Sequence, residues 1–172
     1  MKFVAFITAA YGWLLKFASF LPSPLLLLIR LYWGYQFMMS GYGKLKDFGG
    51  TVETFRDTFQ LPFPEINAAL AAGTEFVGGI FLIVGFASRA AAIPLAITMI
   101  IAYLTADKEA VQELGNFLVN LWTSLKESST PDKFTSATPF LFLFASVIVL
   151  AFGPGAFSID HLLARKYGAR RD

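Results

Sequence analysis

The sequence predicts an all-α integral membrane protein. The expected architecture is a four-helix transmembrane bundle with an N-terminal interfacial helix and an amphipathic helix between spans three and four. Three observations predict it. Hydrophobic residues make up 56% of the 172 positions and charged residues only 15%, against about 25% charge in a soluble domain. Mean hydropathy is +0.59, more apolar surface than a chain of this length can bury in water. The apolar residues fall into four runs of near-membrane length, separated by short polar turns.

The N-terminal segment, up to Leu21, is apolar and aromatic and ends at Pro22 and Pro24. Tyr11 and Trp13 suit a helix lying in the bilayer interface. A fifth span and a signal peptide are the alternatives, but no convincing small-x-small cleavage site follows. The first span runs from Pro24 to about Ser40, with "SGYGKLKDFGG" as its polar boundary. A long connection, "KLKDFGGTVETFRDTFQLPFPE", leads to the second span, about Ile66 to Ala87, and its "LPFP" reads as an extended lead-in. The third span is Ala90 to Ala106, free of charge and interrupted by Pro94. Between Asp107 and Ser128, Val111, Leu114, Leu118, Leu121, Trp122 and Leu125 recur at helical spacing, the mark of an amphipathic helix. "ESSTPDKFTSA" is a polar loop. The fourth span, about Ala137 to Phe152, stops at "GPG". The domain limits are residues 1–23 for the interfacial helix, 24–164 for the membrane domain and 165–172 for a basic tail.

Charge distribution gives an orientation. With four spans, Lys2, Lys16, Arg89, Arg165, Lys166, Arg170 and Arg171 share one side with Asp160 and Asp172, and that side is net basic. The other side is net acidic. Positive residues collect in the cytoplasm, so both termini are expected there, in the inner (cytoplasmic) membrane of a bacterium.

Two charges remain inside the spans, Arg30 in span one and Glu75 in span two. An unpaired charge at the bilayer centre costs about 2.5–3.5 kcal/mol on translocon scales. Ala71, Ala72, Gly78 and Gly79 lie one turn from Glu75, and Trp33 and Gly34 lie one turn from Arg30. Small residues on one face permit close helix contact, so both charges are expected to face protein. Counting from the cytoplasmic ends puts them about 7 Å apart in depth. The favoured arrangement is a shared polar layer with Tyr35, Gln36 and Lys44, in which Lys44 is a rival partner for Glu75. That layer reads either as a lock on helix register or as a site for a ligand or proton; Arg30 snorkelling to the interface is the third reading.

Other chemistry is sparse. There is no cysteine and one histidine, His161, so thiolate and disulfide chemistry are excluded and no metal site is expected. His161 belongs to a short helix capped by Ser158 or Asp160. "GYGKL" lacks the spacing of a phosphate loop.

In order along the chain, "LLLLIRLYWG", Gly41-x-Gly43-Lys44-Leu45, "QLPFP", "EFVGG", "GFASR" and "GPGAFSID" form a recognisable set. In this the sequence resembles the DoxX family of small bacterial membrane proteins, over roughly residues 24–164. It departs from the family pattern at Ser40, where many members have histidine, and at Thr138 and Pro139, where an acidic residue is common. The resemblance implies an accessory subunit of a larger redox or respiratory membrane complex, without its own metal centre and without turnover as an isolated chain. The second implied reading is a quinone-binding oxidoreductase component with a buried Arg/Glu site. Arg30, Tyr35, Lys44 and Glu75 would hold the quinone or another polar ligand, with Trp33 and Tyr103 lining its apolar part; Arg89 is a further position of interest. Membrane lipids and protein partners, in a complex or a homo-oligomer, are the expected contacts; nucleic acid is not.

Overall fold

The computed structural model describes residues 2–126 and 130–168. Glu127 and Ser128, and the tail residues Arg170, Arg171 and Asp172 used in the charge argument, lie outside them. The described chain is helical, without strands among those residues. The main elements are α1 (Lys2–Phe20), α2 (Pro22–Lys46), α3 (Phe48–Glu53), α4 (Pro64–Val84), α5 (Ser88–Thr105), α6 (Lys108–Val119), α7 (Leu121–Lys126), α8 (Asp132–Ser136), α9 (Thr138–Phe152) and α10 (Ile159–Gly168).

Helices α2, α4, α5 and α9 form the bundle. α2 packs on α4, α4 on α5, α5 on α9, and α9 returns to α2. Phe37, Leu82, Leu95, Met99 and Val149 meet in the core, one or more from each helix. Among the described residues, α4, α5 and the run from Tyr11 to Lys46 are long and apolar enough to cross a membrane. α9 is equally apolar but has 15 residues, about 22 Å at the helical rise, which is short of the hydrocarbon thickness of about 30 Å. The protein is therefore an all-helical membrane protein.

The closest contact is between α2 and α4, and glycine makes it. A Cβ on Gly79 would lie 2.5 Å from Met38 N and 2.6 Å from Gly34 O, and one on Gly41 would run into the backbone of Phe76. Without side chains there, the two backbones touch along several turns. This is the small-residue packing expected from the sequence.

Several boundaries differ from the sequence reading. α2 continues through "SGYGKLK" to Lys46. Gly41 is buried against α4, and Lys44 reaches inward for a partner, so the polar residues extend the helix instead of ending it. The long connection holds α3 and a π-helical turn, Thr54–Thr58. The "LPFP" lead-in is not extended, since Phe63 takes left-handed dihedrals (φ 50°, ψ 57°) just before α4. The single amphipathic helix is two. Asn120 leaves helical dihedrals (φ −103°, ψ 29°) and its side-chain amide donates to Asn116 O, so α6 ends there and α7 starts anew.

α1 runs into α2 through Leu21, whose dihedrals are right-handed helical (φ −64°, ψ −34°). Trp13, Phe17 and Phe20 are exposed along α1, in keeping with a helix that touches lipid rather than the bundle.

Candidate functional site

The two intramembrane charges are both buried, at 0% exposure for Arg30 and 2% for Glu75. They do not share a layer. Helices α2 and α4 are antiparallel, with Gly34 beside Gly79 and Ile83 and Gly41 beside Ala72 and Phe76. In this register Arg30 is level with Gly85 and Glu75 is level with Ser40. The two levels differ by about ten residues of α2, or about 15 Å. The expected Arg30–Glu75 polar layer is thus two separate sites. The depth estimate of about 7 Å fell short because it took the cytoplasmic ends of the two helices as level, whereas Arg30, well inside α2, stands beside Gly85 at the very end of α4.

At the first site Arg30 donates from Nη2 to Phe157 O, and its Nη1 abuts Gly85, where no Cβ could fit. Asp160 follows closely. Its carboxylate accepts from Ala87 N at 2.7 Å and Ser88 N at 2.9 Å, which caps the start of α5, while its own N–H donates to Gly85 O at 2.9 Å. Carboxylate at a helix N-terminus satisfies free amides and complements the helix dipole. The two capping candidates read from the sequence divide the work: Ser158 Oγ accepts from His161 N at the start of α10, and Asp160 caps α5. Arg30 therefore fastens the C-terminal "GPGAFSID" loop to span one and the α4–α5 turn.

At the second site Lys44 Nζ donates to both Glu75 Oε2 and Ser40 Oγ, the latter at 2.9 Å. Ser40 and Lys44 are one helical turn apart on α2, so one face presents both. The Glu75 side chain is 3% exposed and that of Lys44 28%. This pair lines a cavity of about 480 Å³ between α2, α4, α5 and α9. Most of its wall is apolar, with Phe37 and Phe142 in edge-to-face contact, ring centroids 4.7 Å apart. Phe55 and Phe59, from the π-helical connection, line the same cavity, with ring centroids 5.6 Å apart. An apolar chamber of this size with one convergent polar group has the form of a small-molecule site.

Of the sequence-derived site residues, the structure brings Lys44 and Glu75 together. Arg30 sits in the other site. Tyr35 is half-exposed on the outside of α2 and does not line the cavity. Trp33 packs edge-on against Phe142 (centroids 5.0 Å). Tyr103 is buried but turned to α8, where its hydroxyl donates to Phe134 O at 2.7 Å. Sequence reasoning missed Phe55, Phe59 and Asn67 as cavity residues, since nothing in their spacing relates them to span one. Arg89 lies at the far end of the bundle, donating to Ala151 O at 3.3 Å. Among the described residues no group of acidic, histidine or cysteine side chains could hold a metal ion.

Comparison with known proteins agrees with this frame. The profile of the DoxX family matches residues 25–108, which span α2 to α5 and include both Lys44 and Glu75. A Bacillus subtilis (strain 168) protein named "Putative oxidoreductase CatD" is 30% identical over 120 residues, covering 67% of this chain and 86% of the relative. No solved structure matches the chain.

Proposed function

Because this chain belongs to the DoxX family, we propose that it is the membrane-embedded, ligand-binding component of an oxidoreductase system, taking a quinone-class molecule into the Lys44–Glu75 cavity. The observation that carries this is an ion pair at the wall of an otherwise apolar chamber. The residues fit such a ligand. A planar head group with an oxygen at its rim meets the Lys44 ammonium, which has a third donor beyond Ser40 and Glu75. Phe37, Phe55, Phe59 and Phe142 offer ring faces and edges to the head. Half-exposed Leu70, Ile97 and Ile101 bring the chamber wall to the lipid-facing side of α4 and α5, a path suited to a molecule arriving with an apolar tail. A bound quinone supplies reversible two-electron, two-proton chemistry. Lys44 would orient its oxygen, and Glu75 would hold the Lys44 ammonium in place beside it. With no cysteine and a single histidine in the chain, the electrons are assigned to a partner protein.

The relative's name, which speaks of an oxidoreductase, supports this reading. The test is to purify the chain from membranes, extract bound lipid and quantify quinone by mass spectrometry. Wild type is expected to retain quinone. Glu75→Gln and Ala102→Phe, which fills the chamber from α5, are expected to lower it about tenfold. Equal quinone in all three proteins rejects the proposal.

An accessory-subunit role in a larger redox complex has its own supporting observation: α1 touches α2 and presents exposed Ile7, Trp13, Leu14 and Phe17 along its length. Mild solubilisation should then release the chain with a second protein attached; a lone monomer after crosslinking in membranes argues against it. The inner membrane and cytoplasmic termini follow from the positive-inside distribution. Single cysteines introduced at Ser136 and Ala164 should label from opposite sides of intact cells.

A further inference from the structure

The end of the bundle opposite the Lys44–Glu75 chamber holds a second cavity, of about 590 Å³, whose walls include Ser23, Arg89, Gly153, Asp160 and His161. We infer that this is a binding site for the headgroup of an anionic phospholipid in the adjoining leaflet. The site and its argument are independent of the chamber.

Depth is the first ground. Ser23 lies in the first turn of α2, Arg89 in the first turn of α5, and Gly153 directly follows α9. Two apolar helices, α5 and α9, end at this level. It is the level at which a bilayer changes from hydrocarbon to phosphate.

Donor chemistry is the second. Arg89 is exposed and donates one hydrogen bond, to Ala151 O, out of five N–H donors in a fork that matches phosphate oxygens. Gly153 (φ +77°) leaves room beside it: a Cβ there would lie 3.2 Å from Arg89 Nε. His161 adds an imidazole, a ring nitrogen donor or acceptor, to the same wall. Asp160 also lines the cavity, yet its two oxygens are taken by Ala87 N and Ser88 N. Its charge is therefore largely answered from within the fold.

The third ground is the apolar track that leaves the cavity. Ile93 follows Arg89 at i+4 on α5 and is 49% exposed, and Phe152 on α9 is 72% exposed. A free phosphate has no use for this ridge, whereas an acyl chain does. α10 completes the surface with Leu162 and Tyr167 exposed and Arg165 and Lys166 in its last turns, the mixture of apolar and basic residues found on helices at anionic membrane surfaces.

The test uses the full chain in detergent. Native mass spectrometry with equal amounts of phosphatidylglycerol and phosphatidylcholine of the same acyl chains should show wild type retaining phosphatidylglycerol about tenfold in preference. Thermal unfolding should rise with phosphatidylglycerol and not with inorganic phosphate. Arg89→Gln and, separately, His161→Gln should each reduce the preference. Two variants guard against a folding failure in one of them. Equal retention of the two lipids by wild type overturns the inference. So does a preference unchanged in both variants, and stabilisation by inorganic phosphate alone would replace the lipid with a soluble anion.

Discussion

Lys44 turns inward from the polar end of α2, and its neighbours explain why. A carboxylate with 3% exposure needs a charged or protonic partner, and the ammonium supplies one across the α2–α4 contact. Removing one member of such a pair costs more than removing both, because the survivor is left buried alone. Lys44→Met is accordingly expected to destabilise by about 3 kcal/mol, read as a lower unfolding temperature in detergent. The double variant Lys44→Met/Glu75→Gln is expected to recover at least half of that loss. A single variant as stable as wild type would show that the pair contributes nothing. The individual residues were legible in the sequence as charges in the wrong solvent. Their partners were not, since a 15 Å offset or its absence depends on how α2 and α4 slide past each other. Lys44 was readable as a rival partner for Glu75. Arg30's partner was unreadable, because Phe157 contributes a backbone carbonyl, which no sequence pattern marks.

Element packing rests on where glycine is missing a side chain for a reason. Gly41 and Gly43 lie two residues apart in α2, but a Cβ on Gly41 meets the backbone of Phe76 whereas one on Gly43 meets nothing within 4 Å. Gly41→Ala should therefore push α2 from α4 and lose well over 1 kcal/mol, while Gly43→Ala should be neutral or stabilise by up to about 1 kcal/mol through helix propensity. Thermal melts of the two variants separate these outcomes, and equal behaviour would contradict the α2–α4 interface. The polar elements beyond the spans obey ordinary electrostatics. Lys133 on α8 bonds Glu109 on α6 at 2.9 Å, and this holds the Glu109 carboxyl below, and the Lys133 ammonium above, its ordinary range. A lowered carboxylate value adds stability above the unfolded value of 4.5 and loses it as pH falls through the folded one; a raised ammonium value adds stability below 10.5 and loses it as pH rises through the folded one. Protection of the α8 amides, relative to their intrinsic exchange at each pH, should thus be greatest between these limits, and added salt should lower it. Exchange independent of salt would mean that Glu113, which accepts from Lys133 N at 2.7 Å, holds α8 without the ion pair.

Across the whole molecule, the bundle of α2, α4, α5 and α9 is self-contained and α1 stands apart from it. Deleting residues 1–20 is expected to change the unfolding temperature of the bundle by less than about 2 °C, because none of the described side chains of α1 lies in the core. A large fall would place α1 among the stabilising elements. The sequence by itself determined that this is an all-helical membrane protein, roughly where its apolar helices lie, and that Arg30 and Glu75 must face protein. Hydrophobic run length and the cost of an uncovered charge in hydrocarbon act locally along the chain, so they can be read locally. Only the tertiary structure decided that the two charges serve different sites, that Lys44 and Glu75 border a chamber also lined by Phe55 and Phe59, and that Asp160 caps a helix more than 70 residues away. Those relations follow from the antiparallel register of α2 against α4 and from the return of the C-terminal loop to the α4–α5 turn. Both are set by backbone contacts at Gly34, Gly41, Gly79 and Gly85, where the information lies in the space a missing side chain leaves and becomes visible only once the helices are packed.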